Sequence, residues 1–186
     1  MMEFAGKKVA IFGITGSGKT FFARRLLRFF KAPMVFTVHR GEFDSPEDRC
    51  YIYVPENPLQ EFEAFAQYSL NLAKAGKIDA LVIDEADLFL RSNWDLSPTL
   101  NDIVVNHRHY NLALVLVSRR PQDIPTKFYE GCHYIFIFKL EGVNAVQRFR
   151  EIDPRIVPLL ERIEYSSHDF VVKELGEPPY VNSAIA

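Results

Sequence analysis

Residues 9–20 constrain the fold of this chain more than any other stretch. An apolar run at residues 9–12 is followed by the pattern G-x-x-x-x-G-K-T at residues 13–20, and a helical pattern begins directly afterwards. A strand, a glycine-rich turn and a helix in this order are the context of a phosphate-binding loop (P-loop). The sequence therefore predicts an α/β protein with a nucleotide phosphate site at this turn.

Each part of the predicted loop has a physical role. Its glycines permit backbone conformations that let successive N–H groups point at one anion, and the helix N-terminus adds further N–H groups. We expect Lys19 to reach the β- and γ-phosphates of ATP and the Thr20 hydroxyl to bind Mg²⁺. The predicted nucleotide-binding residues are Gly13, Ile14, Thr15, Gly16, Ser17, Gly18, Lys19 and Thr20.

Length and composition limit the alternatives. With 186 residues, of which 48% are hydrophobic, the chain is expected to form one domain at residues 1–175, followed by a tail at residues 176–186 that is loose unless it docks elsewhere. The formal charge of −2 indicates no global basic field. Cys50 and Cys132 lie far apart and outside any metal-ligand spacing, which favours buried thiols in a reducing compartment. No apolar run approaches the ~18 residues of a membrane span, so we expect a cytoplasmic protein.

Strand and helix patterns alternate along the chain, which predicts a parallel, doubly wound sheet. One amphipathic helix is expected at residues 20–31, with Phe22, Leu26, Phe29 and Phe30 on its inner face, and a second should bury Leu59 among other residues. Further strands are predicted at 34–38, 50–54, 80–83, 112–117, 135–138 and 170–172, and further helices at 98–108, 144–151 and 154–163.

Two acids directly follow the buried strand at residues 80–83. Asp84 is expected to hold Mg²⁺, and Glu85 is expected to orient and deprotonate a water that attacks the γ-phosphate. The alternative is that both acids only cap a following helix at residues 86–90. We expect Asp87 to be a solvated or capping acid.

These motifs resemble HerA/FtsK-type translocases, and most of all the compact genome-packaging ATPases of membrane-containing and archaeal viruses. Zot-like assembly ATPases of filamentous phages look similar. The matching stretches are residues 13–20, 81–85, and 108–112 leading into 118–125, where S-R-R-P-Q-D-I-P is similar to the family signature T-Q-R-P-x-D-I. Arg119 stands where the family usually has Gln, the residue that senses the γ-phosphate. The resemblance covers residues 5–140.

The resemblance implies a three-layer P-loop NTPase with a mostly parallel sheet of order 5-1-4-3-2 and added edge strands. It also implies a homo-oligomeric ring, usually a hexamer, in which an arginine from the neighbouring subunit completes each ATP site. Arg108 is the first candidate, and the others are Arg119, Arg120, Arg148 and Arg150, although each could instead form an ordinary salt bridge. A loop with Arg91 and Trp94 could contact DNA in the pore, or Trp94 could pack against its own domain.

The resulting hypothesis is a Mg²⁺-dependent ATPase that translocates double-stranded DNA into a viral capsid, with a capsid or portal-region protein as a further partner. It would work in the host cytoplasm or on the virion. Three alternatives remain: a Zot-like phage assembly or secretion ATPase, a small-molecule kinase, and a scaffold that binds ATP but scarcely hydrolyses it.

Overall fold

A mostly parallel sheet forms the middle layer of the protein. The computed structural model describes residues 3–43, 50–90 and 96–183, and within these ranges the sheet has eight strands. They are β1 (Lys8–Phe12), β2 (Pro33–Phe36), β3 (Tyr51–Tyr53), β4 (Ala80–Ile83), β5 (Ala113–Ser118), β6 (Tyr134–Ile137), β7 (Phe170–Glu174) and β8 (Tyr180–Asn182). Their order is β3-β2-β4-β5-β1-β6-β7-β8. Only the β6–β7 and β7–β8 pairs of this sheet are antiparallel.

The predicted strand order is confirmed. When β1, β2, β4, β5 and β6 are counted as strands 1 to 5, their order is 5-1-4-3-2. β3 extends the sheet beyond β2, and β7 and β8 extend it beyond β6. Because the five core strands are parallel, their carboxyl ends meet at one edge, which is where α/β sheets bind their ligands.

Helices cover both faces of the sheet. They are α1 (Lys19–Leu26), α2 (Pro58–Lys74), α3 (Pro98–Asn106), α4 (Thr126–Tyr129), α5 (Val143–Ile152) and α6 (Ile156–Glu161). Alternate residues of β1 point to opposite faces: Val9 and Ile11 pack with α1, whereas Ala10 and Phe12 pack in the core that contains residues of α2, α3, α5 and α6. Burial on both faces explains why the central strands are continuous apolar runs. The predicted three-layer α/β architecture is confirmed.

Two predicted core residues are exposed. Phe29 is 59% exposed because α1 ends at Leu26 and a 3₁₀ turn follows, which shifts the phase of the later side chains; its ring instead lies against Phe4. Leu59 is 62% exposed because it lies in the first turn of α2, one turn before the buried face begins at Phe62. Both predictions were wrong.

Part of the expected C-terminal tail belongs to the sheet. Tyr180–Asn182 form β8 and pair with β7, so this part of the expected tail is an edge strand. The sequence-based pore loop with Arg91 and Trp94 lies outside the described residues and stays a prediction. Within the described ranges, no helix is long and apolar enough to cross a bilayer.

Candidate active site

The glycine-rich loop is fixed to the ends of the two strands that flank β1. The Gly13 N–H donates to the carbonyl oxygen of Ser118 at the end of β5 (3.3 Å), and the Ile14 N–H donates to that of Lys139 just after β6 (3.0 Å). These bonds hold the loop at the carboxyl edge of the sheet. The predicted order of strand, loop and helix is confirmed, but the helix expected at residues 20–31 ends at Leu26 and is followed by a 3₁₀ turn at Leu27–Phe29.

Glycine is required at two positions of the loop. Gly16 and Gly18 have φ angles of 79° and 99°, a region that side chains disfavour. Gly18 is also the N-cap of α1, and its carbonyl oxygen accepts the Phe22 N–H. The Ser17 hydroxyl is buried without a hydrogen-bond partner in the described chain. An unsatisfied donor beneath a helix N-terminus fits an anionic ligand.

A segment that sequence reasoning missed lies on the outer side of the loop. The Tyr165 hydroxyl donates to the Thr15 carbonyl oxygen, and His168 Nδ1 lies 3.2 Å from the Ser17 carbonyl oxygen. A Cβ at Gly16 would be 2.3 Å from the Tyr165 hydroxyl oxygen. We call residues 165–168 the strap. It holds loop carbonyls on the outer side, which favours inward-pointing N–H groups. No local motif signals this role, because these contacts join residues about 150 positions apart.

Asp84 is placed to hold a cation. It directly follows β4, is fully buried, and accepts a hydrogen bond through Oδ2 from the Thr37 hydroxyl (3.0 Å). Its other oxygen, Oδ1, has no hydrogen-bond partner in the described chain. Burial raises the pKa of this carboxyl to about 6, with the neighbouring charge of Glu85 acting in the same direction. A buried, half-satisfied carboxylate fits a divalent cation, and the half-buried Thr20 hydroxyl is the other predicted ligand.

Sequence reasoning missed Thr37, the partner of Asp84. It directly follows β2, which pairs with β4, so a polar residue after an apolar strand was the available signal. Its hydroxyl also accepts the His39 N–H (3.1 Å), which fixes the direction in which it donates.

Glu85 lies among cationic and ionisable side chains at the same edge. Its Oε1 is 4.0 Å from Lys19 Nζ and 3.9 Å from His39 Nε2, and its Oε2 is 2.8 Å from Arg119 Nε. Glu85 has a φ of 49°, which is unfavourable for a non-glycine residue and is typical of functional sites. The structure thus brings together Lys19, Glu85 and Arg119. A 3₁₀ turn at Ala86–Leu88 does follow, but neither acid caps it with a side-chain hydrogen bond.

Asp87 is buried, so the expectation of a solvated or capping acid was wrong. Its Oδ1 accepts hydrogen bonds from the Ser118 hydroxyl (2.9 Å) and the Arg119 N–H (3.3 Å). The short turn after β4 aims this side chain at the end of β5. Asp87 therefore fixes the backbone from which Arg119 reaches Glu85.

A cavity of about 560 Å³ adjoins the loop. Thr15 and Tyr165 line it beside the loop, and Arg119 and Gln122 contribute from the segment after β5. The cavity lies beside the Arg119 side chain, so this edge of the site is accessible.

Arg108 is not part of this cluster. It lies in the 3₁₀ turn His107–Tyr110, before the amino end of β5, whereas the P-loop follows the carboxyl end of the parallel strand β1. The six residues of β5 separate the two edges by about 20 Å. Arg108 is therefore too far from the P-loop of its own chain to contact a nucleotide bound there.

The three remaining candidate arginines have partners on their own chain. Arg120 lies 3.7 Å from Asp123, Arg148 lies 3.4 Å from Glu151, and Arg150 donates to Gln147. Each partner is three residues away along the chain, a spacing typical of weak, exposed pairs.

A family model described as "AAA domain" matches residues 4–121. No curated protein sequence matches the chain.

Solved structures match the fold at low sequence identity. The DNA-packaging ATPase B204 of Sulfolobus turreted icosahedral virus has a TM-score of 0.83 at 15% identity, with 98% of this chain and 100% of that chain covered. The genome packaging NTPase B204 of Sulfolobus turreted icosahedral virus 2, in complex with AMPPCP, has a TM-score of 0.80 at 17% identity, with 97% and 99% covered. The cytoplasmic domain of the type VII secretion ATPase EccC of Thermomonospora curvata has a TM-score of 0.68 at 16% identity, with 97% of this chain and 25% of that chain covered.

Proposed function

The chain belongs to the AAA domain family of P-loop ATPases, and we propose that it uses ATP hydrolysis to move double-stranded DNA into a viral capsid. The observation that carries this proposal is the match to B204, a DNA-packaging ATPase, over nearly the full length of both chains. The match covers 98% of this chain and 100% of that chain, and this supports a shared task.

In the proposed reaction the loop binds and orients ATP. Lys19, which is almost fully buried, neutralises charge on the β- and γ-phosphates, and the N-terminus of α1 contributes its N–H groups. The strap keeps the carbonyl oxygens of Thr15 and Ser17 directed away from the phosphates. Positioning of this kind supplies much of the rate of phosphoryl transfer.

Thr20 and Asp84 are the proposed ligands of Mg²⁺. The ion, when bound, would neutralise charge that develops on the phosphate oxygens. Thr37 orients the Asp84 carboxylate by donating to Oδ2, which leaves Oδ1 available. A hydrogen-bonded second residue of this kind commonly maintains metal affinity.

Glu85 and Arg119 are the proposed catalytic pair. Glu85 is proposed to accept a proton from the attacking water, and Arg119 to contact the γ-phosphate from the position where the related translocases usually have Gln. Glu85 Oε2 forms an ion pair with Arg119 but accepts no hydrogen bond in the described chain, so the guanidinium N–H groups can be offered to the γ-phosphate. Transfer of Arg119 from Glu85 to the γ-phosphate would free Glu85 to act as a base only when ATP is in place.

The proposed working form is a homo-oligomeric ring, with Arg108 reaching the ATP of a neighbouring subunit. Its position at the edge opposite the chain's own P-loop supports this role only in that Arg108 cannot reach the ATP site of its own chain. We also propose a capsid or portal-region protein as a partner, and a location in the host cytoplasm or on the virion.

A second candidate is an assembly or secretion ATPase. The match of 97% of this chain to the secretion ATPase EccC favours it. The two functions differ in what stimulates hydrolysis, since a packaging motor responds to DNA and a secretion ATPase to a protein substrate.

Steady-state phosphate release tests the proposal. We expect turnover per subunit to rise steeply with protein concentration and again on addition of linear double-stranded DNA. Turnover without a DNA response would favour the second candidate, and phosphorylated product without free phosphate would indicate a kinase.

A further inference from the structure

A second cavity lies at the edge of the sheet opposite the P-loop. Its volume is about 470 Å³. Basic side chains from three elements line it: Lys8 from β1, Arg108 and His109 from the turn before β5, and Lys127 from α4. The ATPase site described above uses none of these residues on its own chain. We call this space the Arg108 cavity.

Three cationic side chains, Lys8, Arg108 and Lys127, line the Arg108 cavity together with one carboxylate, that of Glu130. Lys8 Nζ donates to the backbone carbonyl oxygen of Glu130 (2.7 Å), and Lys127 Nζ donates to the side-chain amide oxygen of Asn101. The Arg108 guanidinium lies 2.9 Å from a ring nitrogen of His133. Burial lowers the pKa of Lys8, and the Arg108 charge lowers it further. Three positive side chains therefore converge on one space that holds a single carboxylate, Glu130, whose charge raises the pKa of Lys8.

His133 supplies evidence that an acceptor is missing from this cluster. Its Nδ1 accepts the Lys8 N–H (3.1 Å), so the neutral ring carries its proton on Nε2. Burial and the nearby cations lower the pKa of His133 to about 4, which keeps the ring neutral at pH 7. Yet Nε2 lies 2.9 Å from Arg108 Nη2, which can only donate. Two N–H donors thus face one another, and an anion that accepts from both would satisfy them.

We propose that a phosphate group binds at the Arg108 cavity through Arg108 and Lys127, which line it, and through the Nε2–H of His133, which contacts Arg108. Phosphate fits better than a carboxylate because its tetrahedral oxygens can accept from three converging donors, and guanidinium groups match phosphate geometry. The phosphate can come from a nucleic-acid backbone or from ATP bound to a neighbouring copy. The choice between these sources rests on the proposed function, whereas the phosphate site itself does not.

The site can be tested by NMR of the full chain. The protein is first saturated with Mg²⁺ and AMPPCP, so that the P-loop is filled, and is then titrated with inorganic phosphate. We expect saturable shifts of the His133 ring resonances, lost in Arg108→Ala and weakened several-fold in Lys127→Ala. Arg162→Ala, which removes the same charge from an exposed arginine after α6, should retain them. An unshifted His133 ring, or equal shifts in Arg108→Ala, would overturn the site.

Two further assays identify the source. If the source is nucleic acid, Arg108→Ala and Lys127→Ala should each weaken binding of a fluorescent random-sequence duplex by about 3- to 10-fold and lower the salt slope by about one. If the source is a neighbour's ATP, duplex binding should be unchanged, and mixing Arg108→Ala with Glu85→Gln subunits should restore hydrolysis. If Arg108→Ala changes neither duplex binding nor ATP hydrolysis, the site has no role in either process.

The proposed function can fail separately. A wild-type protein that shows the His133 shifts but neither hydrolyses ATP nor binds duplex DNA would contradict the motor and leave the phosphate site standing. A DNA-stimulated ATPase that lacks the His133 shifts would contradict the phosphate site and leave the motor standing.

Discussion

Arg119 Nε lies 2.8 Å from Oε2 of Glu85, although the two residues belong to the ends of different strands. The contact places a permanent cation against the group proposed to activate water. Asp87 supports it by accepting the backbone N–H of Arg119. The proposed hydrolysis therefore depends on whether Arg119 contacts Glu85 or the γ-phosphate of ATP.

Replacing Glu85 with Gln should separate binding from hydrolysis. The amide cannot accept the proton of the attacking water, while Lys19 and Asp84 remain in place. We expect turnover to fall by about 10²-fold or more, with ATP affinity within about threefold of wild type. Phosphate release and fluorescent-nucleotide titration measure the two effects. Wild-type turnover in Glu85→Gln would remove Glu85 from the mechanism.

Replacing Arg119 with Ala should lower kcat by about 10²-fold, because a cation proposed to contact the γ-phosphate is lost. Arg120→Ala is the matched control: its side chain is exposed and pairs only weakly with Asp123 across 3.7 Å. We expect the control to keep near-normal kcat. Equal kcat values for the two variants would argue against a sensor role for Arg119.

Thr37→Val should raise the Mg²⁺ concentration needed for half-maximal turnover by about tenfold or more. The variant keeps the shape of the side chain but removes the hydroxyl that orients Asp84. Thr99→Val, which removes an exposed hydroxyl bonded to Gln67, is the control. A Mg²⁺ titration of phosphate release gives the comparison, and an unchanged requirement in Thr37→Val would show that Asp84 needs no such support.

Tyr165→Phe should weaken ATP binding by about fivefold, since the strap loses its hydrogen bond to the Thr15 carbonyl oxygen. The effect should fall on KM more than on kcat, because the catalytic groups are untouched. Tyr68→Phe on the exposed face of α2 is the control. If both variants have the same KM, the strap does not position the loop.

His133 should contribute to acid destabilisation. Its pKa is about 4 in the folded protein and near 6.5 when unfolded, so between these values the unfolded chain binds the additional proton. The stability contribution of the neutral ring is therefore full above pH 6.5 and is lost as the pH falls toward 4. His133→Asn should flatten the loss of unfolding free energy over this interval in urea titrations. The same pH slope in both proteins would contradict the lowered pKa.

The sequence allowed prediction of those parts of the site that are encoded locally. Residues 13–20 and the acids after β4 could be found because each motif is contiguous and follows a buried strand. Alternation of strands and helices predicted the layers, and the resemblance supplied the strand order.

The parts that could not be predicted depend on contacts between distant residues. The strap reaches the loop from 150 positions away, and Asp87 contacts the end of β5 only because of how β4 and β5 pair. The exposure of Phe29 follows from where α1 ends, which periodicity does not fix. The two N–H donors that face each other at His133 and Arg108 likewise become visible only in the structure, which places Lys8 and Arg108 on either side of the His133 ring.

Phosphate release as a function of protein concentration, with and without linear double-stranded DNA, tests the central claim most directly. Glu85→Gln in the same assay sets the background. The account predicts turnover per subunit that rises steeply with concentration and rises again with DNA. Turnover that is independent of both would contradict an oligomeric DNA motor.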